Sequence, residues 1–402
     1  MTLVSAVEPL AGHHERPAGA QELLARVREL VPLLRANAER TERERRIAPD
    51  SVAALRAAGL FRLTTPPEFG GYELSLPALL EIITEVGRGC ASTGWIVAND
   101  AASTTFAYEL PAAAHQDIFG ENPDALVLSA AGLASAQATR VDGGYVISGR
   151  FPWSSGCEIS DWAYLSIVPV VNGTEPPTGL ISAMVPLSAV SIEDTWHCAG
   201  MAGTGTHTMI ATDVFVPEHR TTFYDVSPEA ARDEDERTAE VIRGSLQSLA
   251  ALVGAALGAV DLVRAALDKK KPVSYTTHAA AVDSPAVRHW FAEATHLIDT
   301  AVLHMRHAGE KLDAVPHNQP VPWVERASIR AHLASCLARA REGLDKLLDV
   351  AGAGGFALAN PVQRHWRDVN VGSRHNALNA PTIFEDYSRA LLDVRPTVTL
   401  LY

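Results

Sequence analysis

A mostly helical chain carrying an inserted β-domain is the fold class that the sequence predicts, on three observations. Apolar stripes at helical spacing run through both ends, and strand-like alternation fills the middle. The 402 residues, 47% of them hydrophobic, suffice for a large core across two or three packed subdomains. The pattern divides the chain into an N-terminal helical domain at 1–125, a middle β-domain at 126–220 and a C-terminal helical bundle at 221–402.

In the first part, LLARVRELVPLL gives an apolar helical stripe, and APDSVAALRAAGL is bounded by Pro49 near its start and Gly59 at its end. PEFGGYELSLPALLEIITEVG adds a turn and another helix. In the middle part, Asp142-Gly143-Gly144 separates ATRV from YVISG, a hairpin signal, and WAYLSIVPVV, LISAMVPL and MIATDVFVP follow as strands. Long amphipathic runs then return in SLQSLAALVGAALGAVDLVRAAL and ERASIRAHLASCLARAREGLDKLLDV, and a four-helix bundle is the economical reading.

Charge and cysteine content exclude several function classes. The 34 Lys+Arg against 47 Asp+Glu leave −13, opposite to the basic patch that phosphate contacts require, so no nucleic-acid partner is expected. Cys90, Cys157, Cys198 and Cys336 are widely spaced without a C-x-x-C pair, so neither a metal site nor a disulfide framework is expected. The first twenty residues have no basic and apolar leader pattern, and no later run of about 18 uncharged apolar residues is evident. A cytoplasmic protein without membrane insertion is the expectation.

Gly352-Ala353-Gly354-Gly355-Phe356-Ala357 satisfies G-x-G-x-x-A, but the preceding DKLLDV belongs to a helical pattern. A dinucleotide fingerprint needs a strand there, so a glycine-rich turn between helices is the better reading. The same stretch continues through Asn360-Pro361-Val362 and Arg367-Asp368 to His375-Asn376. It resembles the flavin-binding C-terminal region of acyl-CoA dehydrogenases, and the helix, strand, helix order of nearly the whole chain is similar to that fold. Those enzymes carry a glutamate base where this chain has His375-Asn376. Asparagine cannot abstract a proton, and histidine at this place is typical of the two-component flavin monooxygenases of the same fold.

That resemblance assigns roles to residues. His375 would supply or accept a proton, as an imidazole titrating near neutrality can. In FPWSSGCEISDW, Trp153 would cover the isoalloxazine, with Ser154 beside it, and Ser155 would face flavin N5. A C4a-hydroperoxide survives while N5 keeps its proton, which a nearby hydroxyl acceptor can hold. By residue type alone, Ser154-Ser155-Gly156 reads as a polar turn after a strand. Ser129 to Gly132 replace an acidic, proline-containing flavin loop of the dehydrogenases, and Ser129 and Gly132 are candidate backbone contacts. In DTWHCAGMAGTGTHTM, Trp196 would stack on the flavin or wall the pocket. Thr204 and Thr206 are cofactor candidates, and Ala202 replaces a family arginine. His197 and His207 read as ordinary loop residues. Trp95 would line the substrate pocket with Ser103, where relatives acting on simple phenols carry a histidine; Asn376 and Asn379 join that pocket. Lys271 and the Gly354-Gly355 turn would approach flavin phosphates, Lys271 across a subunit boundary, although a lysine run is as often a solvated face.

The resemblance implies a homotetrameric monooxygenase using reduced FAD, with FMN as the alternative, supplied by a separate flavin reductase. Dioxygen and a small aromatic or heteroaromatic substrate, indole-type or another specialised metabolite, complete the reaction. An acyl-CoA dehydrogenase, an N-oxygenase of an amino sugar and a protein that only binds a ligand are the competing readings.

Overall fold

The computed structural model describes residues 18–107, 109–133, 135–171, 177, 179–225 and 234–395. Residues 1–17, read above for a leader pattern, lie outside them. Five helices come first: α1 (Ala18–Glu44), α2 (Pro49–Ala58), α3 (Leu76–Gly89), α4 (Ala91–Ala107) and α5 (Ala112–Phe119). The α2 boundaries follow from its punctuation. Pro49 occupies the first turn, where no N–H is needed, and Gly59 takes the left-handed conformation that closes the helix at φ 83°.

Eight strands form one mixed sheet: β1 (Val127–Ala131), β2 (Ala136–Val141), β3 (Gly144–Ser154), β4 (Trp162–Val170), β5 (Gly179–Pro186), β6 (Ser191–Glu193), β7 (His207–Pro217) and β8 (Thr221–Asp225). Their order is β6-β7-β3-β2-β4-β5-β8, and β1 lies parallel to β4. The hairpin expected at Asp142-Gly143 joins β2 to β3. The sheet runs past residue 220: β8 pairs with β5 from Ala183↔Thr221 to Gly179↔Asp225.

The C-terminal part contains α6 (Glu240–Leu267), α7 (Pro285–Asp313), α8 (Trp323–Ala351), α9 (Pro361–Gly372) and α10 (Ala380–Leu392). Helices α6, α7, α8 and α10 pack together, and α9 lies against α6 and α8. Helix α6 is long and apolar enough to cross a bilayer, a run missed in the sequence because serines interrupt it. It is instead the central core helix, with 83% of its apolar window buried. Its leucines at 246, 249 and 252 are fully enclosed, each worth about 1.5–3 kcal/mol of burial. Missing side chains let α3 and α6 touch backbone to backbone. A Cβ on Gly87 would lie 2.2 Å from the Ala251 carbonyl oxygen, and one on Gly254 2.0 Å from that of Thr84. The two helical parts therefore share one core, while the sheet keeps its own around Ile147, Phe151, Leu165 and Met209.

Candidate active site

The site grows from the place where the end of β3 meets α4. Strand β3 loses register with β7 between Phe151 and Ser154, and within this bulge Trp153 takes φ 58°. A bulge re-aims side chains. Trp153 is thrown outward, 66% exposed, while Ser155 turns toward α4. Trp95, nearly buried on α4, donates its indole N–H to Ser155 Oγ at 3.3 Å.

Ser155 Oγ lies 2.8 Å from Thr206 Oγ1, which lies 2.6 Å from Thr204 Oγ1, and Thr204 donates to the Met201 carbonyl at 2.7 Å. Trp196 donates its indole N–H to the same carbonyl at 2.9 Å. The Met201 N–H in turn donates to Asp368 Oδ1 on α9 at 2.5 Å. His207 supports the segment from behind: its buried Nδ1 accepts from the backbone N–H groups of Thr195 and Trp196. His207, read from the sequence as an ordinary loop residue, is instead buried at the start of β7 and braces this segment.

His375 approaches the other side of Trp95. The two rings meet edge-on with centroids 5.8 Å apart. His375 Nδ1 accepts from the Ala377 N–H at 3.3 Å, so the neutral ring carries its proton on Nε2. The residue is solvent-accessible, and the surrounding protein strips enough hydration to hold its pKa below the usual 6.5.

The Arg367-Asp368 pair has a different task from His375. Arg364 and Arg367 both pair with Glu42 of α1, at 2.7 and 2.5 Å, and Arg367 also donates to the Ala199 carbonyl. Gly200 sits so close to α9 that a Cβ would lie 2.4 Å from the Arg367 carbonyl oxygen. Burial, opposed by the Met201 N–H bond, pushes the Asp368 carboxyl up to about 7. These contacts pin the 194–206 segment to α9 and, through it, the hydroxyl series to Ser155.

The structure therefore brings together Trp95, Ser155, Thr204, Thr206 and His375, with Trp153 two residues from Ser155 and Trp196 on the Met201 carbonyl. Other candidates have different surroundings. The Ser154 hydroxyl turns inward to the Phe151 carbonyl, and Gly132 spends its N–H on Ser166 and its carbonyl on Ser135 and Ala136. Ser129 is half-buried on β1. Asn379 caps α10 by accepting from the Thr382 N–H, with exposed Asn376 in the turn before it. Lys271 is exposed in the loop after α6, and Gly354 and Gly355 form the turn after α8. Among the described residues, no hydrogen bond or ring contact joins these last three to the Trp95 group, and no cluster of His, Cys, Asp or Glu is arranged for a metal.

Ser103 is 1% exposed and faces the core. The half-buried positions on α4 are instead Asn99, Ala102, Thr105 and Phe106, and those on the facing helix α6 include Val241, Gly244 and Ser248. Ala102 and Gly244 meet, and a Cβ on the glycine would stand 3.4 Å from that of Ala102. Sequence reading missed these positions, and the signal was present: small or polar residues recur every three or four places on two otherwise apolar helices.

Comparison with known proteins fits this architecture. Residues 18–110 match the model of the acyl-CoA dehydrogenase N-terminal domain, and residues 246–380 that of the acyl-CoA dehydrogenase C-terminal domain. The chain is 31% identical over 363 residues to the flavin-dependent monooxygenase oxygenase subunit HsaA of Rhodococcus jostii, covering 88% of this chain and 94% of the relative. It is 31% identical over 407 residues to the oxygenase component of an FADH2-dependent resorcinol hydroxylase of a Rhizobium species, covering 96% and 98%. Among solved structures, XiaF from a Streptomyces species, in complex with FADH2 and glycerol, superposes with a TM-score of 0.86 at 31% identity over 95% of this chain and 98% of that one.

Proposed function

The chain belongs to the flavin-dependent monooxygenase oxygenase subunits built on the acyl-CoA dehydrogenase fold, and from that premise we propose how its residues hydroxylate an aromatic small molecule. It is the oxygenase component of a two-component enzyme, and a flavin reductase is its partner. FAD and FMN are both compatible with the family. The observation that carries the reading is the meeting of Ser155 and His375 on Trp95. The groups gathered there are hydroxyl, indole and imidazole. No Asp or Glu occurs between Asp368 and Glu385, where a dehydrogenase base would be required.

The donor set fits a reduced flavin. An exposed indole at Trp153 offers a face for an aromatic ring, and Ser155 Oγ beside it offers an acceptor for a ring N–H. Reduced flavin, when bound, supplies the electrons and the activation of dioxygen. Ser155 would hold the proton at flavin N5, Trp95 and Trp153 would exclude water, and His375, neutral at pH 7, would move a proton at the substrate or oxygen edge. The half-buried residues Asn99, Ala102, Gly244 and Ser248 where α4 meets α6 are uncharged, which favours a neutral heteroaromatic such as an indole over a phenolate. Gly354, Gly355 and Lys271 remain proposed phosphate contacts in a homotetramer, and the four free thiols support a cytoplasmic setting.

The test is the source of electrons. Product should form from photoreduced FAD and air with phenol, resorcinol or indole as probes, and not from NADH alone without a reductase. Hydroxylation sustained by NADH alone would overturn the two-component reading.

A further inference from the structure

The hydroxyl hydrogens between Ser155 and Met201 have one consistent arrangement. The Met201 carbonyl can only accept, and Thr204 Oγ1 lies 2.7 Å from it. Without a proton between them, that approach would set two lone pairs against each other. Thr204 therefore donates there, and its single hydrogen is committed. At the 2.6 Å contact Thr206 is then the donor, and at the 2.8 Å contact Ser155 is the donor to Thr206. The indole N–H of Trp95, which can only donate, occupies one lone pair of Ser155 Oγ. Ser155 is left with one lone pair and no hydrogen to give.

The far end of the series is fixed in place. Met201 is held at φ 55° with its N–H on Asp368 and its carbonyl shared by Thr204 and Trp196. Asp368 belongs to a helix tied to α1 through Arg364, Arg367 and Glu42. Reversing the hydroxyls would thus need a different loop conformation.

We propose that Thr206 and Thr204 are positioning residues that make Ser155 an acceptor only, so that the site selects reduced flavin over oxidised flavin. The inference rests on the reading of Ser155 as the group facing flavin N5. Reduced flavin presents an N–H at that atom, which the remaining lone pair of Ser155 accepts. Oxidised flavin presents a lone pair there, and Ser155 has no hydrogen with which to meet it. Selectivity for the reduced cofactor then comes from the direction of a hydrogen-bond series that ends more than one residue away from the ligand.

Equilibrium binding tests this without turnover. The full chain is titrated anaerobically with reduced FAD and separately with oxidised FAD, and the ratio of the two dissociation constants is taken. Thr206→Val keeps the shape, removes the acceptor and frees the Ser155 hydrogen, so the preference for reduced FAD should fall by about fivefold or more, the worth of one net hydrogen bond. Thr206→Ser should restore it. Thr204→Val cuts the series one link further on and should act in the same direction, which covers the case in which the first variant does not fold. An unchanged ratio in a folded valine variant, while the unsubstituted protein hydroxylates its probe, would overturn this inference alone. A wild-type protein that binds neither reduced nor oxidised flavin, as FAD or as FMN, would overturn the functional reading together with it.

Discussion

The two sides of Trp95 hold their polar groups in opposite ways. Ser155 is secured through Thr206, Thr204 and Met201 to Asp368 on α9, whereas the solvent-accessible His375 meets the indole edge and accepts from the Ala377 N–H. A proton that must stay on the cofactor calls for an acceptor that cannot turn, since each buried hydroxyl in a satisfied series fixes the next. A proton that must leave calls for a group near solvent with a pKa close to working pH. Under the roles proposed for Ser155 and His375, the contrast separates a holding side from a transferring side, and both differ from a dehydrogenase, in which one carboxylate would dominate the same region.

The largest effect is expected on the transferring side. His375→Ala should leave the fold and reduced-flavin binding intact and lower product formation by about 10²-fold, the usual scale for a positioned acid or base. Unchanged product formation by chromatography would remove His375 from the reaction. Desolvation lowers the pKa of this imidazole, so the acid limb of the wild-type rate profile should lie below the ordinary histidine value of 6.5 and disappear in the variant. A limb above that value would assign the titration to another group.

A smaller effect is expected behind the holding side. The Asp368 carboxyl is raised by burial to about 7, against about 3.9 in an unfolded chain. The native state then binds more protons than the unfolded state between those values, so this group's contribution to stability is full at low pH and is lost as pH rises through about 7. Asp368→Asn, which can still accept from the Met201 N–H but does not titrate, should flatten that loss in urea midpoints taken from about pH 5 to 8. Parallel curves for the two proteins would show that Asp368 is not the titrating group.

Much of this was legible in the sequence, for physical reasons that differ by residue. Helix periodicity and the Pro49 and Gly59 punctuation fix α2 locally, and the Asp142-Gly143 turn fixes the first hairpin. The resemblance through Arg367-Asp368 singled out His375, and the β3 segment singled out Ser155; the structure places both on Trp95. What could not be read is non-local. Met201 acts through backbone atoms that any residue supplies, so its type carries no signal. Asp368 seemed only a marker preceding His375, because its partner lies 167 positions away. Ser103 reads as a pocket residue because it stands where relatives acting on phenols carry a histidine; the helix buries it, and Asn99 and Ala102 are the more accessible positions on α4. Ser154 and Gly132 are polar or small for internal reasons, one satisfying a carbonyl at the bulge and the other avoiding Phe151, which a Cβ would approach to 2.7 Å.

Isotope labelling tests the hydroxylase assignment most directly. The chain, photoreduced FAD and an indole or resorcinol probe are mixed with heavy-isotope dioxygen in ordinary water, and the product is weighed by mass spectrometry. One labelled oxygen atom per hydroxylated product is the expected result, with no dye reduction when acyl-CoA thioesters replace the aromatic probe. Label-free product, or acyl-CoA-dependent dye reduction that needs no oxygen, would contradict it and return the chain to dehydrogenase chemistry.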